Sequence, residues 1–246
     1  MLRQPFSVGG KMLIDLQPTR TPGNSAVLRL IQADPAGPAR VRSPDFVGIR
    51  ASLIRAERDV VIVAQTDPAD YSYLIISGCV RTVRLMSDGR RQIGEFLLAG
   101  DFFGLEALDE HTFGMEAVTP VILRRYLHCS LEAYADRNSD FARRLRTLAA
   151  KRLRSEQARV LALGRMTASE RIARFLLEMA DRTGAPGCCI ELPMSRSDVA
   201  DYLGLTTETV CRMLTQMQRE AVITINRSLI AIRDRSTLAA LAGNDG

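Results

Sequence analysis

The stretch RSDVADYLGLTTETVCRMLTQMQ, Arg196 to Gln218, decides the fold of the C-terminal part of this chain. Val199, Ala200 and Leu203 share one helical face. Gly204 then permits a tight turn, because a residue without a Cβ adopts positive φ without strain. Thr206 suits the N-cap of a following helix. Ala200, four residues before the glycine, is small enough for two helices to cross closely, and Leu205, Val210 and Met213 can fill the contact. The pattern predicts a helix-turn-helix with Val199, Ala200, Leu203 and Val210 in the core.

The second helix of this unit carries two stripes. Val210, Met213, Leu214 and Met217 recur at i, i+3, i+4 and i+7, and so do Glu208, Cys211, Arg212 and Thr215. At about 100° per residue the stripes point in nearly opposite directions, so one seats the helix and the other faces outward. An outward acid, thiol, guanidinium and hydroxyl suit a DNA major groove. Arg donates bidentately to guanine O6 and N7, and Glu accepts from the cytosine amino group. The plainer alternative is a surface helix with Glu208 paired to Arg212 at i, i+4. Val222 to Ile232, VITINRSLIAI, then reads as two strands around Asn226-Arg227-Ser228, a hairpin wing with Arg227 at its tip.

Upstream, Thr167 and Glu170 form a T-x-x-E capping box ahead of a helix with Ile172, Phe175, Leu176 and Met179 on one face, closed by Gly184 and Pro186. From Ser130 to Leu163 there is neither proline nor glycine. One long helix is expected there, broken at Gly164, with Phe141, Leu145, Leu148 and Arg152 as a stripe that pairs with a second copy; the plainer alternative is a helix packed on its own barrel. Residues 46–130 change character. Val60–Ala64, Tyr73–Ile76, Val80–Met86, Gln92–Leu98 and Val121–Leu123 are short β-rich runs separated by turn signals, including Asp88-Gly89 for a tight hairpin. They predict an antiparallel barrel or sandwich. Residues 1–44 hold six of the ten prolines and read as a flexible extension, apart from a possible helical turn over Ala26–Ile31. The fold class is therefore α+β, in four segments: 1–44, a β-domain over 45–130, a long helix over 131–164, and a winged helix-turn-helix over 165–246.

Composition narrows the function. The chain of 246 residues is 46% hydrophobic and 25% charged, enough for a sizeable core, and no apolar run approaches a membrane span. Without an export signature it is expected in the cytoplasm. Residues 141–246 hold 17 Lys+Arg against 11 Asp+Glu, a basic half suited to a polyanion. The five cysteines match no zinc or redox spacing. Cys79, Cys129, Cys188 and Cys189 read as packing residues. Cys211 differs, because it lies on the outward stripe near a helix N-terminus and beside Arg212, where a thiol is prone to oxidation. No nucleotide-loop, zinc-protease or hydrolase motif is present, and no enzyme is expected.

These residues resemble the CRP/FNR superfamily of bacterial transcription regulators, on its FNR and FixK-like branch. The resemblance covers about residues 45–235. It rests on DPADYSYLIISGCVRTVRLMSDGRRQIGEF (Asp67–Phe96), GDFFGLEAL (Gly100–Leu108), LGRMTASERIARFLL (Leu163–Leu177) and the helix-turn-helix. It implies a jelly-roll domain of the cyclic-nucleotide-binding type, a dimerising helix and a winged helix-turn-helix. It further implies a homodimeric regulator, an activator working with RNA polymerase on double-stranded DNA, at genes of low-oxygen respiration, denitrification or nitrogen fixation. The branch pattern E-x-x-S-R falls on Glu208, Cys211 and Arg212, which implies reading of a TTGA-type inverted repeat, with Cys211 where the branch has Ser. Ser195, Arg196, Ser197, Thr206, Thr207, Thr215 and Arg227 are the candidate phosphate contacts.

The chain also departs from its relatives. No cysteine precedes Cys79, so the N-terminal iron–sulfur cluster of FNR proper is not expected. The region matching the cyclic-phosphate site reads EHTFGMEAV (Glu110–Val118), and no arginine lies between Arg91 and Arg124. A buried phosphate there would lack its counter-charge. A haem or gas sensor is the alternative on the same fold, with His111 or His128 as the axial ligand; a lone histidine is more often a surface or loop residue. Calorimetry is expected to show no micromolar uptake of cyclic AMP, and such uptake would overturn this expectation.

Overall fold

The computed structural model describes residues 29–31, 48–105, 109–184 and 189–243. The N-terminal domain is built from antiparallel strands: β1 (Arg29–Ile31), β2 (Ala51–Ala56), β3 (Val61–Val63), β4 (Tyr71–Ser77), β5 (Val80–Leu85), β6 (Arg91–Leu97), β7 (Phe102–Phe103), β8 (Gly114–Ala117) and β9 (Val121–Leu127). They form two sheets, ordered β1-β2-β9-β4-β7 and β3-β8-β5-β6. Ile54, Val63, Ile75, Val80, Leu97, Met115 and Leu123 are buried in one cluster. The Asp88-Gly89 hairpin forms as expected, with Gly89 at φ +82° and the Met86 N–H donating to the Arg90 carbonyl at 2.9 Å. At the β4–β5 turn Gly78 has φ +88°, and a Cβ there would lie 2.4 Å from the Pro120 carbonyl oxygen.

Several expectations are corrected. Residues 29–31 do not continue a helical turn; they form an edge strand paired with β2. The rest of the expected extension and of the Ala26–Ile31 turn lies outside the described residues, as does Pro186. Strands β2, β7 and β8 had no clear alternation to mark them. The single helix over 131–164 is two: α1 (His128–Arg137) and α2 (Ser139–Arg165). Asn138 separates them, with extended backbone and its side chain accepting from the Phe141 N–H at 3.0 Å. That is the N-cap chemistry that favours a new helix start over continuation. Gly164 does not break α2; it sits in the last turn, and Met166 is the C-cap.

The expected pairing stripe also turns inward. Phe141 is buried among Leu74, Phe102, Tyr126 and Leu131 of its own chain, with Leu145 packed against that cluster. Arg152 reaches Glu95 of β6 at 3.2 Å and the Phe102 carbonyl at 3.5 Å. Leu148, half-buried, lines the same cleft between α2 and the sheets. The hydrophobic effect seats this stripe on the adjacent sheets. Leu153, at the rim of the same cleft, is left 61% exposed, and Val160 and Leu161 are 67% and 66% exposed.

The C-terminal domain comprises α3 (Ala168–Thr183), β10 (Cys189–Glu191), α4 (Arg196–Leu203), α5 (Thr207–Arg219), β11 (Ile223–Asn226), β12 (Leu229–Ile232) and α6 (Arg235–Leu241). Its three strands form one antiparallel sheet, β10-β12-β11. The T-x-x-E capping box is made at Thr167 and Glu170, and Gly184 closes α3 in the left-handed conformation. Arg171 ties the domain to α2. Its guanidinium donates to the carbonyls of Met166, Leu203 and Leu163 at 3.0, 3.0 and 2.8 Å, so one cation meets the C-terminal ends of two helices.

The two domains share a core. Ile93 and Phe96 of β6, with Cys79 and Val118, belong to the same buried cluster as Phe175, Val199 and Val210. The Phe96 ring lies 5.3 Å from Tyr202 and 6.3 Å from Phe175, and those two rings are 5.7 Å apart. Arg182 of α3 adds donations to the Phe96 carbonyl at 2.8 Å and to Asp101 at 2.5 Å.

Candidate nucleic-acid interface

The helix-turn-helix forms on the residues expected of it. Gly204 ends α4 at φ +63°, and the Leu205 N–H donates to the Ala200 carbonyl at 3.0 Å, closing the turn. A Cβ at Gly204 would come within 3.3 Å of the Leu163 side chain, so both its conformation and its space suit glycine. Thr206 caps α5, its hydroxyl accepting from the Thr209 N–H at 3.1 Å. Val199, Ala200, Leu203 and Val210 are buried, together with Leu214 and Met217. Met213 is half-buried.

The opposite stripe of α5 is free. Glu208, Cys211, Arg212 and Thr215 are all exposed. Glu208 and Arg212 do not form the i, i+4 ion pair, so both charged groups stay available to a ligand. The Thr215 hydroxyl donates to the Cys211 carbonyl at 2.9 Å, which leaves its oxygen as an acceptor rather than a donor outward. Thr207 opens α5 and is exposed. Arg227 occupies the exposed tip of the β11–β12 hairpin at φ +56°, as the wing reading requires.

The α4 N-terminus departs from its expected role. Ser195 caps the helix in a reciprocal box with Asp198. Its hydroxyl donates to Asp198 Oδ2 at 2.8 Å and accepts from the Asp198 N–H at 3.0 Å. Its single proton is therefore committed inside the protein, and Ser195 acts as a cap rather than as a donor to phosphate. Ser197 is exposed and Arg196 half-buried. Burial lowers the Arg196 guanidinium, and the nearby Cys211 opposes this.

Asp198 itself was missed, although the signal S-x-x-D was present. Only 3% exposed, it accepts from Arg81 Nη1 at 3.2 Å and from Arg91 Nη2 at 2.8 Å, both carried by the β-domain. Burial alone would raise its carboxyl. The hydrogen bonds of Ser195 and the charges of Arg81 and Arg91 outweigh that and hold it below the ordinary carboxylate range.

The cysteines divide differently from the sequence expectation. Cys79 is buried, and burial pushes its thiol up to about 12, so it is an inert packing group. Cys129 and Cys189 are exposed rather than packed, and Cys188 lies outside the described residues. His111 is buried, not on the surface. It stacks on Phe103 with ring centroids 5.1 Å apart. His128 Nδ1 lies 3.2 Å from the Ser72 hydroxyl, and Nε2 lies 3.4 Å from Glu132. A cleft of about 740 Å³ separates the β-domain from α2 and α3, lined by Thr82, Gly94, Glu95, Phe113, Arg152 and Arg159 among others. Among the described residues no helix is long and apolar enough to cross a membrane, and no three metal-ligating side chains cluster.

Comparison with known proteins fits this geometry. Residues 53–138 match the cyclic nucleotide-binding domain family, and residues 170–241 match the Crp-like helix-turn-helix domain. The chain is 40% identical over 209 residues to the nitrogen fixation regulation protein FixK of Rhizobium meliloti, covering 85% of this chain and 89% of that protein. It is also 40% identical to FixK of Azorhizobium caulinodans, over 75% of this chain and 76% of that one. The chain belongs to the CRP/FNR family. Its fold matches the solved structure of FixK2 from Bradyrhizobium japonicum with a TM-score of 0.75 at 41% identity, covering 78% of this chain and 98% of that one. This CRP/FNR member is a DNA-binding transcription regulator of the FNR/FixK type, and α5 is the second helix of its helix-turn-helix.

The cap at Ser195 makes the regulator acid-sensitive in a predictable way. A depressed folded-state pKa stabilises the protein fully above the unfolded value of about 3.9, and the contribution is lost as pH falls through the folded value. Asp198→Asn is expected to cost about 2 kcal/mol near neutrality, because Arg81 keeps Glu116 and Arg91 keeps Asp201 while each loses a bond to a charged acceptor. Chemical denaturation should show the gap between wild type and variant closing below about pH 4; a constant gap would refute the role of the ionised carboxylate.

Proposed function

We propose that the regulator acts in the cytoplasm as a homodimer on a TTGA-type inverted repeat. In this reading it recruits RNA polymerase as an activator, at genes of low-oxygen respiration, denitrification or nitrogen fixation. The observation that carries this is the unpaired, outward Glu208 and Arg212 on α5. The names of its FixK relatives support the gene class. Arg212 and Glu208 read bases and Cys211 sits between them. Arg196, Ser197, Thr206, Thr207 and Arg227 line the flanks where phosphates would position the helix without specifying sequence, whereas Thr215, whose proton goes to the Cys211 carbonyl, has none left to donate to phosphate. In a two-fold dimer the two α5 helices would lie about one DNA turn apart, roughly 34 Å.

The seam of that dimer is assigned to Leu153, Val160 and Leu161 of α2. Leu153 and Val160 are seven residues apart, the repeat of a helix–helix seam, and their exposure is a cost that a second copy would remove. Sedimentation of the Leu153→Glu, Val160→Glu double variant is expected to show a monomer, and a persistent dimer would relocate the seam.

Binding without a resident effector is part of this reading. What supports it is that the cleft charges already answer one another, Arg152 to Glu95 and Arg182 to Asp101. The second reading, a small-ligand, haem or gas sensor, draws on the same cleft. Arg159 Nε is buried in it without a hydrogen bond, Glu95 Oε2 has only the ion pair to Arg152 at 3.2 Å, and burial raises the Glu95 carboxyl.

Redox control at Cys211 completes the reading. Peroxide converts an exposed thiol to a sulfenic acid with release of water, and a second equivalent gives the sulfinate. A negative group on the groove-facing stripe would then oppose phosphate. Titration of a repeat duplex and a scrambled duplex at two salt concentrations tests the whole. Arg212→Ala should lose about 1–3 kcal/mol on the repeat and little on the scrambled duplex; equal loss on both would remove Arg212 as a base reader. Peroxide should weaken the wild type and spare Cys211→Ser; an indifferent wild type would refute the switch.

A further inference from the structure

The strongest charged cluster outside the recognition helix lies at the junction of the domains. Arg81 of β5 and Arg91 of β6 reach across to α4. Arg91 Nη2 donates to Asp198 Oδ1 at 2.8 Å and to Asp201 Oδ2 at 2.6 Å, and Arg91 Nε donates to the same Asp201 oxygen at 2.9 Å. Arg81 Nη1 lies 3.2 Å from both Asp198 oxygens. Its own position is set from below, by Glu116 of β8 at 2.9 Å. Beside them the Gln92 side-chain amide donates to the Asp201 carbonyl at 2.7 Å. Asp198 and Arg81 are nearly buried, with side chains 5% and 12% exposed.

We infer that Arg81 and Arg91 of the β-domain are positioning residues for DNA recognition, acting through Asp198 and Asp201 of α4 to set the angle at which α5 is presented. Three features carry this. The contacts are multiple and charge-assisted, which fixes direction as well as distance, whereas the aromatic contact of Phe96 with Tyr202 and Phe175 permits sliding. They fall on the helix that crosses α5 at Gly204, so a tilt of α4 moves Glu208 and Arg212 together. Their acceptor, Asp198, is also the cap partner of Ser195, so the latch reaches the first turn of α4. Nothing in this requires Arg81 or Arg91 to touch DNA.

The test uses the full-length protein and charge exchange at the less embedded pair. Arg91→Asp places a third carboxylate beside Asp198 and Asp201, and such like-charge contacts cost enough to open an interface. Expected is a loss of about tenfold or more on the repeat duplex, with scrambled-duplex binding nearly unchanged. The salt slope should stay that of the wild type, because no phosphate contact is lost; each lost contact would lower it by about 0.9. Arg91→Asp combined with Asp201→Arg restores an opposite-charge pair and should recover most of the affinity for the repeat. A purely structural role would weaken both duplexes alike, and a direct phosphate role would lower the slope. Either result overturns the inference, as does wild-type affinity in Arg91→Asp or failure of the exchange to rescue a variant that melts like the wild type. The inference rests on the DNA-binding function. A wild type that cannot tell repeat from scrambled duplex sinks the proposed half-site together with this inference, whereas a discriminating wild type beside an indifferent Arg91→Asp sinks the inference alone.

Discussion

The burial of one face of β6 against the C-terminal domain organises this molecule. Phe96 enters a pocket formed with Phe175 of α3 and Tyr202 of α4, and Ile93 joins the same core. Burying an aromatic ring of this size contributes a few kcal/mol, enough to hold two domains of modest size in one arrangement. Burial also drives the Tyr202 phenol upward, so this ring stays neutral across ordinary pH. Around the ring, the hydrogen bonds of Arg91, Gln92 and Arg182 convert a greasy contact into a directed one.

Arginine does most of the long-range tying. Arg152 joins α2 to β6, Arg182 joins α3 to the β6–β7 turn, Arg171 joins the ends of α2 and α4, and Arg81 and Arg91 join the β-domain to α4. A planar guanidinium can satisfy several carbonyls or carboxylates at once, which lysine cannot do in the same geometry. With 31 of the 33 basic residues being arginine, the chain is rich in such multidentate ties. They leave the exposed stripe of α5 as a separate population, since Arg212 takes no part in them. Internal cations set the frame, and the cation of α5 stays outside it.

The same division accounts for the two faces of α2. The stripe that begins at Phe141 is consumed by the chain's own β-domain, and Leu153, Val160 and Leu161 stay exposed. Periodicity showed one apolar stripe on α2. It could not say whether that stripe faces the chain's own sheets or a second copy, because the answer lies in where β7 and α1 are placed.

Local chemistry determined much of this protein from the sequence alone. A glycine that must take positive φ, threonine caps at Thr167 and Thr206, an Asp-Gly hairpin and two opposed stripes on α5 are each decided within a few residues. The helix-turn-helix, its wing and its outward Glu208, Cys211 and Arg212 were therefore readable without coordinates. Contacts between residues far apart in the chain were not. Asp198 meets Arg81 across 117 positions, Gln92 meets Asp201 across 109, and Arg171 meets Leu203 across 32. Such pairs leave no periodic trace, because each side chain alone looks like an ordinary surface charge. Only the folded arrangement buries Asp198, commits the Ser195 proton to it, turns the Phe141 stripe inward and hides His111 behind Phe103. Long-range burial decides those features, and its energy comes from surfaces that the linear order of residues does not place side by side.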